Sequence, residues 1–399
     1  MDATTSTFDP TAPLPGAPDP WDYTTPTPRN EPPYHMTEMI AAEPHLARRL
    51  LGRLSGGQAA AGRLAGVVGQ AATSGEPVVV TGCGTSEHAA MAIVDILRDA
   101  MRASGMEAGP GSVVAAQAFE LSLDPPSRGL VIGVSHEGGT AATNRAIAAS
   151  AAAGAQTAMI TASAGSPAAQ VAETVVATGE LDQSWCHTVG YLSPILAGAA
   201  VGAHLSGDEL PIDKVAELLA AGAADGPGSE TIAARLADAR TLLVVGSGAD
   251  RPAARELALK IEEASWLPST MRDLETLLHG HLPAADESAA LVLILADRAG
   301  RTERVARARQ ALTAARVIGL RSAAILSREV AEEIADDLTP AGRLVVSEAP
   351  ELPAASAATL ATATALQLLT ERLARARGTN PDLIRREDPR YRDAAAAAD

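Results

Sequence analysis

The stretch VIGVSHEGGTAATN, Val131–Asn144, passes from an apolar β-branched run through a Gly-Gly turn into a helix-forming segment. A strand that breaks on glycines and hydroxyls and restarts as a helix is a common way to build an anion pocket, because backbone N–H groups and the helix dipole converge there. Ser135 and Thr140 bracket the turn and suit that use. His136 and Glu137 raise a difficulty, since a carboxylate repels an anion unless a cation cancels it. On spacing alone, His136 also fits a surface turn residue and Glu137 a first-turn acid that complements the dipole.

Working outward, short β-branched runs alternate with Ala-rich helical stretches: EPVVVTG, GLVIGVS, AQTAMITA and ETVVATG in the first half, each followed by a helix. After a break near SGDELPIDK the cycle repeats through TLLVVGSGAD, AALVLILAD, RVIGLRS and RLVVSEAP. This pattern predicts parallel sheets covered on both faces by helices, duplicated at a scale of about 170 residues. With 399 residues the chain is long enough for two domains, and aromatic residues at 2% require cores of Val, Leu, Ile and Ala.

A net charge of −16 argues against nucleic acid or an anionic membrane as partner. The longest apolar stretch, YLSPILAGAAVGAHL, falls short of a membrane span by length. Two cysteines and no signal-like N-terminus point to the cytoplasm. No metal-ligand spacing occurs, and neither metal nor organic cofactor is expected. The first 33 residues hold nine of the 26 prolines and are expected to be a disordered or surface-draped arm.

Two further stretches carry candidate chemistry. VVVTGCGTSEHAA, Val78–Ala90, sets Cys83, Gly84, Thr85 and Ser86 at a strand-to-helix turn, where a phosphate would fit, although the glycines also serve a plain tight turn. The spacing is neither a dinucleotide fingerprint nor a P-loop. In ARELALKIEEASWLPSTMRDLETLLHGHLP, Glu256, Lys260 and Glu263 lie on one helix face, and His279 follows. A carboxylate and a histidine brought together could move protons on a sugar; the same spacing also fits a solvated Glu–Lys pair of a few tenths of a kcal/mol and an incidental histidine.

Taken in order, GCGTS, SHEGGT, ELALKIEEASW and HG resemble the sugar isomerase (SIS) family, in particular the tandem-SIS isomerase half of glucosamine-6-phosphate synthase, over about residues 34 to 387. The resemblance implies two flavodoxin-like SIS domains, residues 34–210 and 211–378, after an arm (1–33) and before a tail (379–399) partly over the active site. It implies that Cys83, Gly84, Thr85, Ser86, Ser135 and Thr140 hold the terminal anion of a small sugar derivative. Glu263 would be the base working through a cis-enediol, and His279 would assist ring opening from the neighbouring subunit of a homodimer. Glu256 and Lys260 would line the site or balance its charge, and His136 and Glu137 would bear on the choice of substrate.

Two departures matter. Arg386 stands where the synthase carries its Schiff-base lysine, and Val189 where it carries another; arginine stays protonated and cannot form the imine. No N-terminal cysteine nucleophile of a glutaminase is present. The resemblance therefore favours an aldose–ketose isomerase of a sugar 6-phosphate over amino transfer. An amino-sugar-phosphate deaminase or deglycase, an isomerase of a sulfonated sugar and a non-catalytic sugar-phosphate-binding protein are its alternatives.

Overall fold

The structure, a computed structural model, describes residues 8–18, 21–22, 26–56, 58–107, 109 and 111–398. Two helices, α1 (His35–Leu54) and α2 (Ala60–Thr73), precede β1 (Val78–Gly82), α3 (Thr85–Ala103), β2 (Val113–Gln117), α4 (Ala118–Leu123) and β3 (Leu130–Val134). The first half continues with α5 (Ala141–Ala153), β4 (Gln156–Thr161), β5 (Thr174–Ala177) and α6 (Val189–Ser206). The second half contains α7 (Ile212–Ala224), α8 (Gly226–Leu236), β6 (Thr241–Gly246), α9 (Arg251–Ser265), β7 (Ser269–Asp273), α10 (Leu274–Thr276) and β8 (Ala289–Leu295). It ends with α11 (Arg301–Ile318), β9 (Arg321–Ser327), α12 (Arg328–Glu333), β10 (Gly342–Val346), α13 (Ala354–Ala376) and α14 (Pro389–Ala398).

Each half forms one parallel five-stranded sheet, β2-β1-β3-β4-β5 and β7-β6-β8-β9-β10, so the two share one topology. The strands β1, β3 and β8 are buried along their whole length, as Val- and Leu-rich runs must be when helices cover both faces. In both halves the strand order reverses beside the first strand, which places a crevice at the carboxyl ends of β1 and β3, and of β6 and β8.

Three readings of the sequence are corrected here. β2 and β7, absent from the strand pattern, are edge strands whose mixed exposure leaves no apolar run to detect. RVIGLRS is mainly the end of α11, and the strand is RSAAILS, Arg321–Ser327. The apolar stretch after Val189 forms an 18-residue helix, α6, long and apolar enough to cross a membrane by length and composition, but 78% of it is buried inside the protein. It is a core helix packed against α1, α2 and α3. α13 has nearly every residue buried and packs on α7, α8 and α9.

The described parts of the N-terminal arm are held in place, as the surface-draped alternative expects and disorder does not. Leu14 is buried beside Met39, Leu46 and Val189, and its N–H donates to the Glu180 carboxylate at 2.9 Å. The Leu181 N–H donates to the Pro15 carbonyl at 2.8 Å. Prolines lower the entropy that such docking costs. For residues 1–7, 19–20 and 23–25 the same expectation lies outside the described residues. At the other end, Asp382 accepts the N–H of His35 at 2.8 Å and so caps α1.

Candidate functional site

The first turn is shaped by its glycines. A Cβ on Gly82 would stand 2.7 Å from the Ser86 backbone, and Gly84 has φ 55°, so the chain enters α3 through a bend open mainly to glycine. The Cys83 thiol is half-buried, 3.8 Å from Gln117 Nε2 and from Thr143 Oγ1, and burial raises its pKa. Ser86 is half-buried and its N–H donates to the Cys83 carbonyl. Thr85, expected to hold an anion, instead donates its hydroxyl to Glu256 Oε1 at 3.2 Å. The physical reason is that Glu256 is fully buried and needs donors.

Those donors come from both halves. His88 Nδ1 lies 2.8 Å from Glu256 Oε2, and Lys260 Nζ lies 3.6 Å from Glu256 Oε1 and 2.6 Å from Glu263 Oε2. Burial raises the pKa of Glu256, but Lys260 and the His88 and Thr85 hydrogen bonds outweigh it and hold the carboxylate below its ordinary value. Burial likewise disfavours the charge on Lys260, which is fully buried; the Glu263 and Glu256 carboxylates overcome it and push the ammonium well above its usual range. The solvated Glu–Lys pair allowed by the spacing is thereby corrected to a buried one. Glu263 alone of the three keeps access, with its side chain a quarter exposed toward a cavity of about 410 Å³ that Trp266 and the tail residues Ile384, Arg385 and Tyr391 also line.

The second turn is organised differently. Ser135 Oγ lies 3.2 Å from Thr140 Oγ1 and accepts the Gly138 N–H at 3.2 Å, so the hydroxyls meet. His136 is not a surface residue: it is buried, its Nε2 accepts the Asp182 N–H at 2.8 Å, and burial lowers its pKa. Glu137 lies ahead of the helix and pairs with His187 Nε2 at 3.1 Å, while His187 Nδ1 is 3.6 Å from Asp182 Oδ2. Burial would strip the charge from His187, yet Glu137 and Asp182 push its pKa up to about 10. Glu137 is correspondingly held far below the carboxylate range by His187, against the effect of burial. Asp182 is itself fixed by the N–H groups of Ser184, Thr188 and Gly190.

Sequence reasoning missed His187 and Asp182. The signal was available in DQSWCHT, Asp182–Thr188: a loop after the fifth strand returns to the crevice, and an acid in an anion turn demands a nearby cation. The arm was missed as well. The Trp21 indole donates to the Glu137 carbonyl at 3.0 Å and its ring covers Gly139. The Trp185 indole donates to the Pro26 carbonyl at 2.8 Å.

The remaining candidates stand apart in this chain. His279 has a 71% exposed side chain and pairs with Glu275 at 2.6 Å, on a bend where Gly280 has φ 129°. Arg386, on the exposed tail, lies over the Trp185 ring at 4.8 Å, and the neighbouring Arg385 over Trp266 at 4.7 Å.

Two doubly wound sheets with glycine turns at both switch points define a tandem α/β protein with its candidate site between the halves. Residues 235–371 match the family model of the SIS domain. No curated protein matches it by sequence. Among solved structures it is similar to the C-terminal domain of glucosamine-fructose-6-phosphate aminotransferase from Francisella tularensis, with TM-score 0.72 and 18% identity over 89% of this chain and 99% of that one. It is similar to tagatose-6-phosphate ketose/aldose isomerase from Escherichia coli, with TM-score 0.68 and 18% identity over 90% and 97%. It is also similar to glucosamine-6-phosphate deaminase from Thermotoga maritima, with TM-score 0.63 and 17% identity over 88% and 97%. At such identities the likeness establishes the fold.

Proposed function

We propose that the protein is an aldose–ketose isomerase acting on a sugar with a terminal anion, a sugar 6-phosphate in the first instance. The observation that carries this reading is the buried relay Glu256–Lys260–Glu263, which keeps one carboxylate partly open beside a fixed ammonium. In the reaction, Glu263 takes the proton from C2 of the open-chain aldose and the electron pair moves through C1 to the carbonyl oxygen. The O2 hydroxyl proton then passes to O1, the carbonyl re-forms at C2, and Glu263 returns its proton to C1 to give the ketose, while Lys260, buried behind Glu263, balances the charge of the base. The difficulty raised by Glu137 is reduced, because His187 cancels its charge. His279 opens the ring from a second subunit of a homodimer, in keeping with its exposure.

The same base would serve an amino-sugar-phosphate deaminase, which the excess of carboxylates over ammonium at the relay favours. Incubation with sugar phosphates, amino-sugar phosphates and sulfonated sugars in D2O, followed by NMR, tests both. Deuterium at C1 or C2 with isomer formation is expected, and release of ammonia marks the deaminase. Absence of exchange with every compound overturns both readings and leaves a binding protein. Mixed dimers of E263Q and H279A chains should regain activity that neither variant has alone.

A further inference from the structure

The second half repeats the turns of the first. A Cβ on Gly246 would meet the Asp250 backbone as one on Gly82 meets Ser86, and Gly248, like Gly84, has positive φ. Counted back from the starts of α11 and α5, Asp297 occupies the place of Glu137. Outside this second switch point lies a cavity of about 620 Å³, walled by the ends of β6 and β8 and, from the first half, by α3 and β2. That volume suits a small metabolite.

Its lining is unusual for a chain of net charge −16. Arg98, Arg102, Arg251 and Arg304 converge on it, against Asp95, Asp99 and Asp297. Arg304 bonds Asp297, which also accepts the Ala249 N–H at 3.0 Å, so the inner cation is held in position. Arg102 contacts Asp99 at 2.8 Å while its side chain is 57% exposed, and Arg251 at the other rim is 46% exposed. A guanidinium carries five donors in a fork that matches phosphate, and one carboxylate contact leaves several of them for a ligand. Met91, Val94 and Val114 supply an apolar wall for a carbon skeleton.

We propose that this cavity is a second binding site, for a small phosphate monoester, and that it is non-catalytic. The catalytic relay has no counterpart here. At the positions of Glu256, Lys260 and Glu263 along α9, α3 carries Ala92, Ile96 and Asp99, and the Asp99 carboxylate is occupied in accepting the Ala355 N–H at 2.9 Å at the start of α13. The site is built from residues other than those of the isomerase reading and does not depend on it.

The test is isothermal titration of the full chain with inorganic phosphate and with fructose 6-phosphate, compared with A115W and R102A/R251A. Ala115 lines the cavity from the exposed face of an edge strand, so tryptophan there fills space without entering the core. Both arginines are exposed, so the double variant retains the fold even if A115W does not. The expected result is the loss of one phosphate equivalent per chain in A115W and a tenfold or greater rise in its Kd in R102A/R251A. Identical titrations of the three proteins, or no phosphate binding to the unchanged chain, overturn the proposal. Deuterium exchange into fructose 6-phosphate in the same solutions reads the first half separately: exchange without the second equivalent sinks only this inference, and the second equivalent without exchange sinks only the isomerase.

Discussion

The two switch points of this molecule have the same backbone and opposite chemistry. In the first half, the carboxylate of the second turn, Glu137, is paired with His187, the hydroxyls of Ser135 and Thr140 meet, and the arm lies over the turn. In the second half, the equivalent carboxylate, Asp297, holds Arg304 beside an open cavity. The helix facing the first turn, α9, buries an ion-paired relay; the helix facing the second, α3, offers Ala92 and Ile96. A duplicated fold supplies two crevices, and the side chains on the opposing helix make them chemically different.

The sharpest way to break this comparison is at the paired positions Glu263 and Asp99. E263Q should lower solvent deuterium exchange by about 10²- to 10⁴-fold, the range for a positioned base, with ligand affinity retained; exchange at the unaltered rate would remove the relay from the chemistry. Next in size is K260M, which leaves Glu256 buried without its main counter-charge. Breaking such a pair costs about 3–5 kcal/mol, read as a lowered urea midpoint. An unchanged midpoint would mean that the relay is not buried as described.

E137Q probes the turn. His187 is half-buried, so loss of its partner should cost about 2 kcal/mol, between the values for surface and fully buried pairs. The pH dependence has a definite sign. Because the pKa of His187 is raised to about 10 from 6.5, its contribution is whole below about pH 6.5 and fades as pH rises through about 10. Because that of Glu137 is depressed from 4.5, its contribution is whole above about pH 4.5 and is lost only in strong acid. The stability difference between the unchanged protein and E137Q, followed by urea unfolding at several pH values, should therefore peak near pH 5–6.5, shrink as pH rises from about 6.5 and be gone above about 10. A difference flat across that range would contradict the ion pair. The smallest effect is expected for D99N, which weakens the cap on α13 by about 1 kcal/mol of stability. A loss of exchange as large as that in E263Q would erase the contrast between the halves.

Much of the fold was legible from residues such as Val78–Gly82 and Ala289–Leu295, because buried parallel strands write themselves as unbroken apolar runs ending on glycine. The edge strands β2 and β7 were not, since one open side removes the need for such a run. Within the site, the Glu256, Lys260 and Glu263 spacing could be read on one helix, whereas the pairing of Thr85 and His88 with Glu256 could not, because those residues stand far apart in the chain. The same holds for Glu137 and His187, and for Trp21 over the second turn.

The sequence by itself determined the α/β class, the duplication and the two glycine turns, all consequences of local steric freedom and hydrophobic period. Only the tertiary structure decided that Lys260 is buried and charged, that Glu137 is neutralised, that the arm lies on the candidate site, and that the second switch point opens a cavity lined by arginines. Burial and charge pairing depend on what arrives from distant parts of the chain, and a linear pattern records periodicity, not neighbours.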